Sequence, residues 1–209
     1  MTVRFCGKLA GALALTVALA GCIDAKVEVD VTSETTAKAI VTQTMGPEIY
    51  PMIKAAQAEA GEDAGDDPAA AAASDFCSDG TLTENADGGA TCTIEKEGAF
   101  ADLVFDEEGE DQGVNFTSAG PGLVRVSFPT SEITKDLGND EEMDAQTKAM
   151  MTSMFEGHSF TLKIGGGEIT DTNMTLAGDR QSAEKVIPFL DIINGTVELP
   201  EELYAVVKK

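Results

Sequence analysis

The chain is poor in the residues from which nucleic-acid-binding, catalytic and membrane-spanning machinery is built. It holds one histidine and only 14 lysines and arginines among 209 residues, against 37 aspartates and glutamates. So few cations exclude nucleic acid as a partner, because binding it rests on neutralising phosphates with Lys and Arg. Anionic headgroups would repel so acidic a body, and the charge speaks for solubility rather than for a fold. The single histidine, His158, leaves an enzyme little material, since no other side chain titrates near neutrality without a strong shift. Long apolar runs are scarce too. The one near the start, Leu9 to Ala20, is 12 residues long, whereas a helix crossing a hydrocarbon core needs roughly 20.

That short run has a setting of its own. Arg4 and Lys8 precede it and Leu19-Ala20-Gly21-Cys22 closes it, the three parts of an export signal. The closing residues resemble the lipobox cut by the bacterial lipoprotein signal peptidase. The resemblance implies cleavage before Cys22, a diacylglyceryl group on its sulfur and acylation of its amine. Two or more acyl chains anchor a protein stably where one binds only marginally. Residues 1–21 are therefore expected to leave, and residues 22–209 to form a single lipid-anchored domain. With Arg4 and Lys8 gone, 12 basic residues face 37 acidic ones. The expected location is the bacterial envelope, facing the periplasm. Ile23, not Asp, follows the cysteine, and Asp there resembles an inner-membrane retention signal, so the outer membrane is expected over the inner.

Export also decides the cysteines. Cys6 leaves with the signal and Cys22 is consumed by lipid, so Cys77 and Cys92 are expected to form a disulfide in an oxidising compartment. Fourteen intervening residues make no CxxC redox pair.

Lys26 to Thr32 alternates polar and apolar residues, with Val27, Val29 and Val31 inward, and Thr36 to Thr44 follows across a Ser33-Glu34-Thr35 turn. These predict a hairpin close to the lipid. Ile49, Met52, Ile53 and Ala56 fall on one face of a helix from Pro47 to about Ala60. Residues 61–75, with acids and alanines but nothing large to bury, predict a disordered loop. A strand runs through Cys92 to Lys96, and residues 98–105 suit either helix or strand. Val114 to Thr117 and Leu123 to Phe128 flank Pro121-Gly122, a type II turn signal. Ser131 to Leu137 predicts a short capped turn. Asp140 to Glu156 predicts a helix ending before Gly157. His158 to Ile164 and a stretch near Glu168 to Leu176 follow as strands on either side of Gly165-Gly166-Gly167, then Val186-Ile187 and Leu203 to Val207. The expectation is an α+β fold, an antiparallel sheet of hairpins with two to three packed helices.

In this order of parts the chain resembles the LppM-like lipoprotein domain family: lipobox, immediate hairpin, helix, long mixed middle, then Gly167-Glu168-Ile169-Thr170-Asp171-Thr172-Asn173 before a turn and a last strand. The resemblance implies an envelope domain with an amphiphile-binding role and assigns no site residue.

Candidate chemistry is thin. Ser182-Ala183-Glu184-Lys185 fits the SxxK pattern of penicillin-recognising enzymes, but the accompanying motifs stand in the wrong order with the wrong residues. The acidic stretches at 62–67 and 106–111 lack the spacing of a calcium loop. Methionine is the unusual feature: Met143, Met150 and Met154 recur at seven and four residues, on one face of the expected helix. Such a face is core, or an adaptable binding surface. Met150, Met154 and His158 are the candidate ligands if the helix instead holds Cu(I). The expected role is non-enzymatic and without a cofactor, binding a lipid, another amphiphile or an envelope protein at the membrane. A Cu(I)-binding lipoprotein is the alternative, and a hydrolase ranks last.

Overall fold

A computed structural model describes residues 23–60, 76–78, 80–103, 113–131, 149, 152–153 and 155–209, with only the backbone at 23 and 56–60. The expected signal, Cys22, the loop at 61–75 and the acidic stretch at 106–111 lie outside the described residues, as do residues 132–148 and Met143, Met150 and Met154. Within them run strands β1 Ile23–Val31, β2 Thr36–Met45, β3 Thr81–Glu84, β4 Ala90–Ala99, β5 Asn115–Gly120, β6 Leu123–Pro129, β7 Ser159–Gly165, β8 Glu168–Thr172, β9 Thr175–Leu176, β10 Ser182–Pro188 and β11 Glu202–Lys208. Helix α1 spans Tyr50–Ala60 and helix α2 spans Phe189–Ile193. A 3-10 turn at Phe100–Asp102 follows β4.

The fold is mostly β and not the α+β arrangement expected from the sequence. Seven strands form one sheet in the order β3-β4-β2-β1-β7-β10-β9, and four form another in the order β5-β6-β11-β8. The expected count of packed helices is overturned because stretches without an obvious alternating signal are strands. Thr81 to Glu84 exposes all four side chains yet pairs with β4, and Ser182 to Lys185 extends the short Val186-Ile187 strand. Nor is the sheet purely antiparallel: β1 runs parallel to β7, with Val27 opposite Leu162 and Val29 opposite Ile164.

Gly165 to Gly167 makes no hairpin. β7 belongs to the seven-stranded sheet and β8 to the other, so this turn carries the chain between sheets. Val29, Val31, Ala37 and Ala39 of one sheet and Val124, Val126, Ile169, Leu203 and Val207 of the other share one buried core with Leu162, Ile164 and Ile187. Of the helix expected at 140–156, the described Ala149, Thr152, Ser153 and Phe155 are helical. Phe155 is buried in the shared core edge-on to Phe189.

On the outer face of β1, Glu28 sits between the ammoniums of Lys163 and Lys26, each 3.0 Å away. Burial pushes its carboxyl up, but the two cations outweigh burial and hold it below its ordinary value of 4.5. A depressed carboxyl stabilises the fold above its unfolded pKa, and that stability is lost as pH falls through the lower folded value. Glu28→Gln should therefore cost about 0.5–1 kcal/mol at neutral pH, and nothing once Glu28 is protonated in both states. Denaturation midpoints of the two proteins that stay equally far apart down to about pH 2 would refute this assignment.

Candidate functional site

The inner face of the seven-stranded sheet can be read row by row from its register. One row runs Leu82, Cys92, Gln43, Ala25, Phe160, Ile187. The next runs Ile94, Val41, Val27, Leu162, Lys185, and a third passes through Ala39, Val29 and Ile164. Burial is complete in the third row, where Ala39 and Val29 are 1% exposed. It is incomplete in the first two: Ala25, Val27, Val41, Ile94 and Phe160 are only half-buried.

The reason is that two separate clusters cover this face. The second sheet covers one side, with Phe128 against Phe160 at 6.0 Å. On the other side Met45, Phe76, Ala90 and Cys92 form a small core of their own, with Ile49, Tyr50 and Ile53 packed on it. The Cys77–Cys92 disulfide, Cα to Cα 5.5 Å, belongs to this smaller core, as the cysteine arithmetic anticipated. Closing a loop of 15 residues contributes about 3 kcal/mol in the chain-entropy model. Ala25, Val27 and Phe160 pack at the margin of the larger cluster and Ile94 at the margin of the smaller, so a strip of partly buried apolar side chains runs where the two meet on the sheet.

Gln43 stands in this strip, 9% exposed, between Ala25 on one strand and Cys92 on the other. Its amide makes no hydrogen bond among the described residues, and it is not sealed from solvent. Here it offers a donor and an acceptor to whatever enters between apolar walls. The sequence carried a signal for it: the inward positions of β2 read Ala37, Ala39, Val41, Gln43, Met45, and one of them is polar.

The other end of the same strands defines where an anchor would attach. Cys22 directly precedes Ile23, the first residue of β1, which pairs with Met45, the last residue of β2. Five residues on, α1 begins. Ile49 and Ile53 pack inward as the helical spacing required, but Met52, expected on the same face, is 68% exposed. Tyr50 donates to Glu84 at 3.0 Å and Lys54 pairs with the same carboxylate, fixing the helix to β3. Lys54, Tyr50 and the Asn85–Gly89 turn border a small open cleft there.

The expected chemical candidates do not assemble among the described residues. His158 lies at the start of β7, where its Nδ1 is 3.3 Å from Asp24, while the same carboxylate accepts the Ser159 N–H. Its proposed copper partners, Met150 and Met154, are not among the described residues, and the described His, Cys, Asp and Glu form no group able to hold a metal ion. Ser182 and Lys185 lie three apart on β10 and so point to opposite faces, which separates the two halves of the SxxK pattern. Among the described residues no helix is long and apolar enough to cross a membrane.

No family model matches the chain, and no curated protein matches it. Among solved structures it is similar to the folded domain of the Mycobacterium tuberculosis LppM protein, determined by NMR. The likeness covers 90% of this chain and 91% of that one, with 11% sequence identity and a TM-score of 0.45. This is a weak LppM-like resemblance, on which no residue's role is carried across.

Proposed function

We propose that this chain is a non-enzymatic envelope lipoprotein, anchored through Cys22 to the outer membrane of a two-membrane host, that binds the apolar portion of an amphiphile on the strip around Gln43. The observation that carries the reading is the Gln43 amide, without a partner among the described residues and 9% exposed among half-buried Ala25, Val27, Val41, Ile94 and Phe160. Apolar walls with one or two placed polar groups are what small-molecule sites have in common. A strip left half-wet gains about 25 cal/mol for each Å² of apolar surface that a ligand covers. The amide would take the oxygen of an ester or carboxyl head and fix the tail's direction.

Neighbouring residues on opposite faces of β2 supply the test. Val41→Trp fills the strip, whereas Ile40→Trp adds the same bulk to the opposite face of the same strand. In titrations with a dansyl-labelled fatty acid, Val41→Trp should bind about tenfold more weakly and Ile40→Trp should bind like the wild type. Equal affinity in all three proteins would end this reading.

A further inference from the structure

We infer that the first turn of α1 is a second point of contact with the membrane, beside the lipid. The inference rests on the reading of Cys22 as an acylated residue. It comes from what lies at that end of the sheet.

Position is the first observation. The acylated residue would be next to Ile23, and Ile23 pairs with Met45. An extended chain spans at most about 3.6 Å per residue, so one residue of slack holds this end of the sheet at the bilayer. The chain leaves Met45, turns at Gly46, whose carbonyl accepts from Ile49 and Tyr50, and enters α1. A Cβ added at Gly88 of the β3–β4 turn would lie 3.7 Å from Pro47, so that turn belongs to the same end.

Chemistry is the second. Between exposed Glu48 and Lys54, Ile49-Tyr50-Pro51-Met52-Ile53 has no charge, and the first turn of α1 contains no acid. Acids favour that place in ordinary helices, where they meet the positive end of the macrodipole. Ile49 and Ile53 are used against the small core. Pro51 and Met52 are turned outward, and Met52, at 68%, is the most exposed of the large apolar side chains described. Tyr50 stands beside them with an apolar ring and a hydroxyl on Glu84, the amphipathic form enriched at headgroup level. The Lys54–Glu84 pair and the tyrosine bond link this turn to β3. The occupant is therefore a neutral bilayer interface, since 37 acidic against 12 basic residues in the mature chain oppose an anionic one.

The mature protein makes the experiment direct. With Cys6 removed, Cys22 acylated and Cys77 bonded to Cys92, Met52→Cys introduces the only free thiol. The comparison is Thr35→Cys, exposed in the β1–β2 turn at the opposite end of the sheet. Each is labelled with the fluorophore NBD and reconstituted in phosphatidylcholine vesicles with and without headgroup-proximal spin-labelled lipid. A parallel pair has residues 1–22 replaced by hexahistidine and is held on nickel-chelating lipid, which tethers it without native acylation. Quenching at position 52 at least twofold above that at position 35, in the tethered pair, is the expected result. Equal quenching at both positions in the tethered pair overturns the contact, whatever the native protein does. Native protein without acyl mass on Cys22 and without flotation overturns the anchor instead, and the tethered pair then decides the contact alone.

Discussion

Cys22→Ala is expected to leave the precursor uncut and to empty the membrane fraction of this protein. On the proposed reading the cysteine would be both substrate and signal: without its sulfur there would be no thioether to form, and a peptidase reading Leu19-Ala20-Gly21-Cys22 would lose its cleavage point. No described helix is long and apolar enough to cross a bilayer, and the net charge of −23 opposes adsorption to anionic headgroups. Each buried methylene of an acyl chain contributes about 0.8 kcal/mol, so two or three chains exceed by far what one exposed methionine adds. Intact mass and flotation in a sucrose gradient measure the two effects separately. A mutant that floats like the wild type, with its leader removed and no acyl mass, would defeat the lipoprotein reading.

What the sequence disclosed about the fold was local. The β1–β2 hairpin was legible because Val27, Val29 and Val31 alternate and Ser33 supplies a turn, and its side chain does accept from the Thr35 and Thr36 N–H groups. The β5–β6 hairpin was legible through Pro121-Gly122, where Gly122 has φ +69 as a type II turn requires. The disulfide followed from compartment and parity. What stayed hidden was non-local. No residue pattern announces that β1 is an interior strand with a parallel neighbour 135 positions on, because pairing is settled by register and not by propensity. β3 was missed since its edge position buries neither face. α2 was missed since a helix of five residues after Pro188 has no room for a period. The same limit applies to the candidate strip. Gln43 is polar at an inward position of β2, but the side chains that flank it are set by the register of β1 and β4 and by where the two clusters end.

The largest folding defect should come from Gly166, and two other glycines separate its causes. Gly166 has φ +93, and a Cβ built there would fall on the backbone N and O of Val31. The contact is with strand backbone, which cannot rotate away, at the point where the chain passes from β7 in one sheet to β8 in the other. Gly167 is as close to the Lys208 carbonyl, and Lys209 donates to the Val31 carbonyl at 2.9 Å and to the Gly166 carbonyl. The crossing is therefore packed between the ends of β1 and β11, one from each sheet. Gly157 shares the positive φ, +87, but has nothing within 4 Å of its Cβ position, and Gly178 has neither constraint. Replacement by alanine should then cost within about 0.5 kcal/mol at Gly178, where nothing opposes it. At Gly157 the cost should be about 1 kcal/mol, the conformational penalty alone. At Gly166 it should exceed about 3 kcal/mol, the same penalty plus displacement of a packed strand. Urea unfolding of the three variants at constant m-value measures all of these. If Gly166→Ala is no worse than Gly157→Ala, backbone conformation is the only demand at the turn, and the two sheets do not meet there as tightly as described.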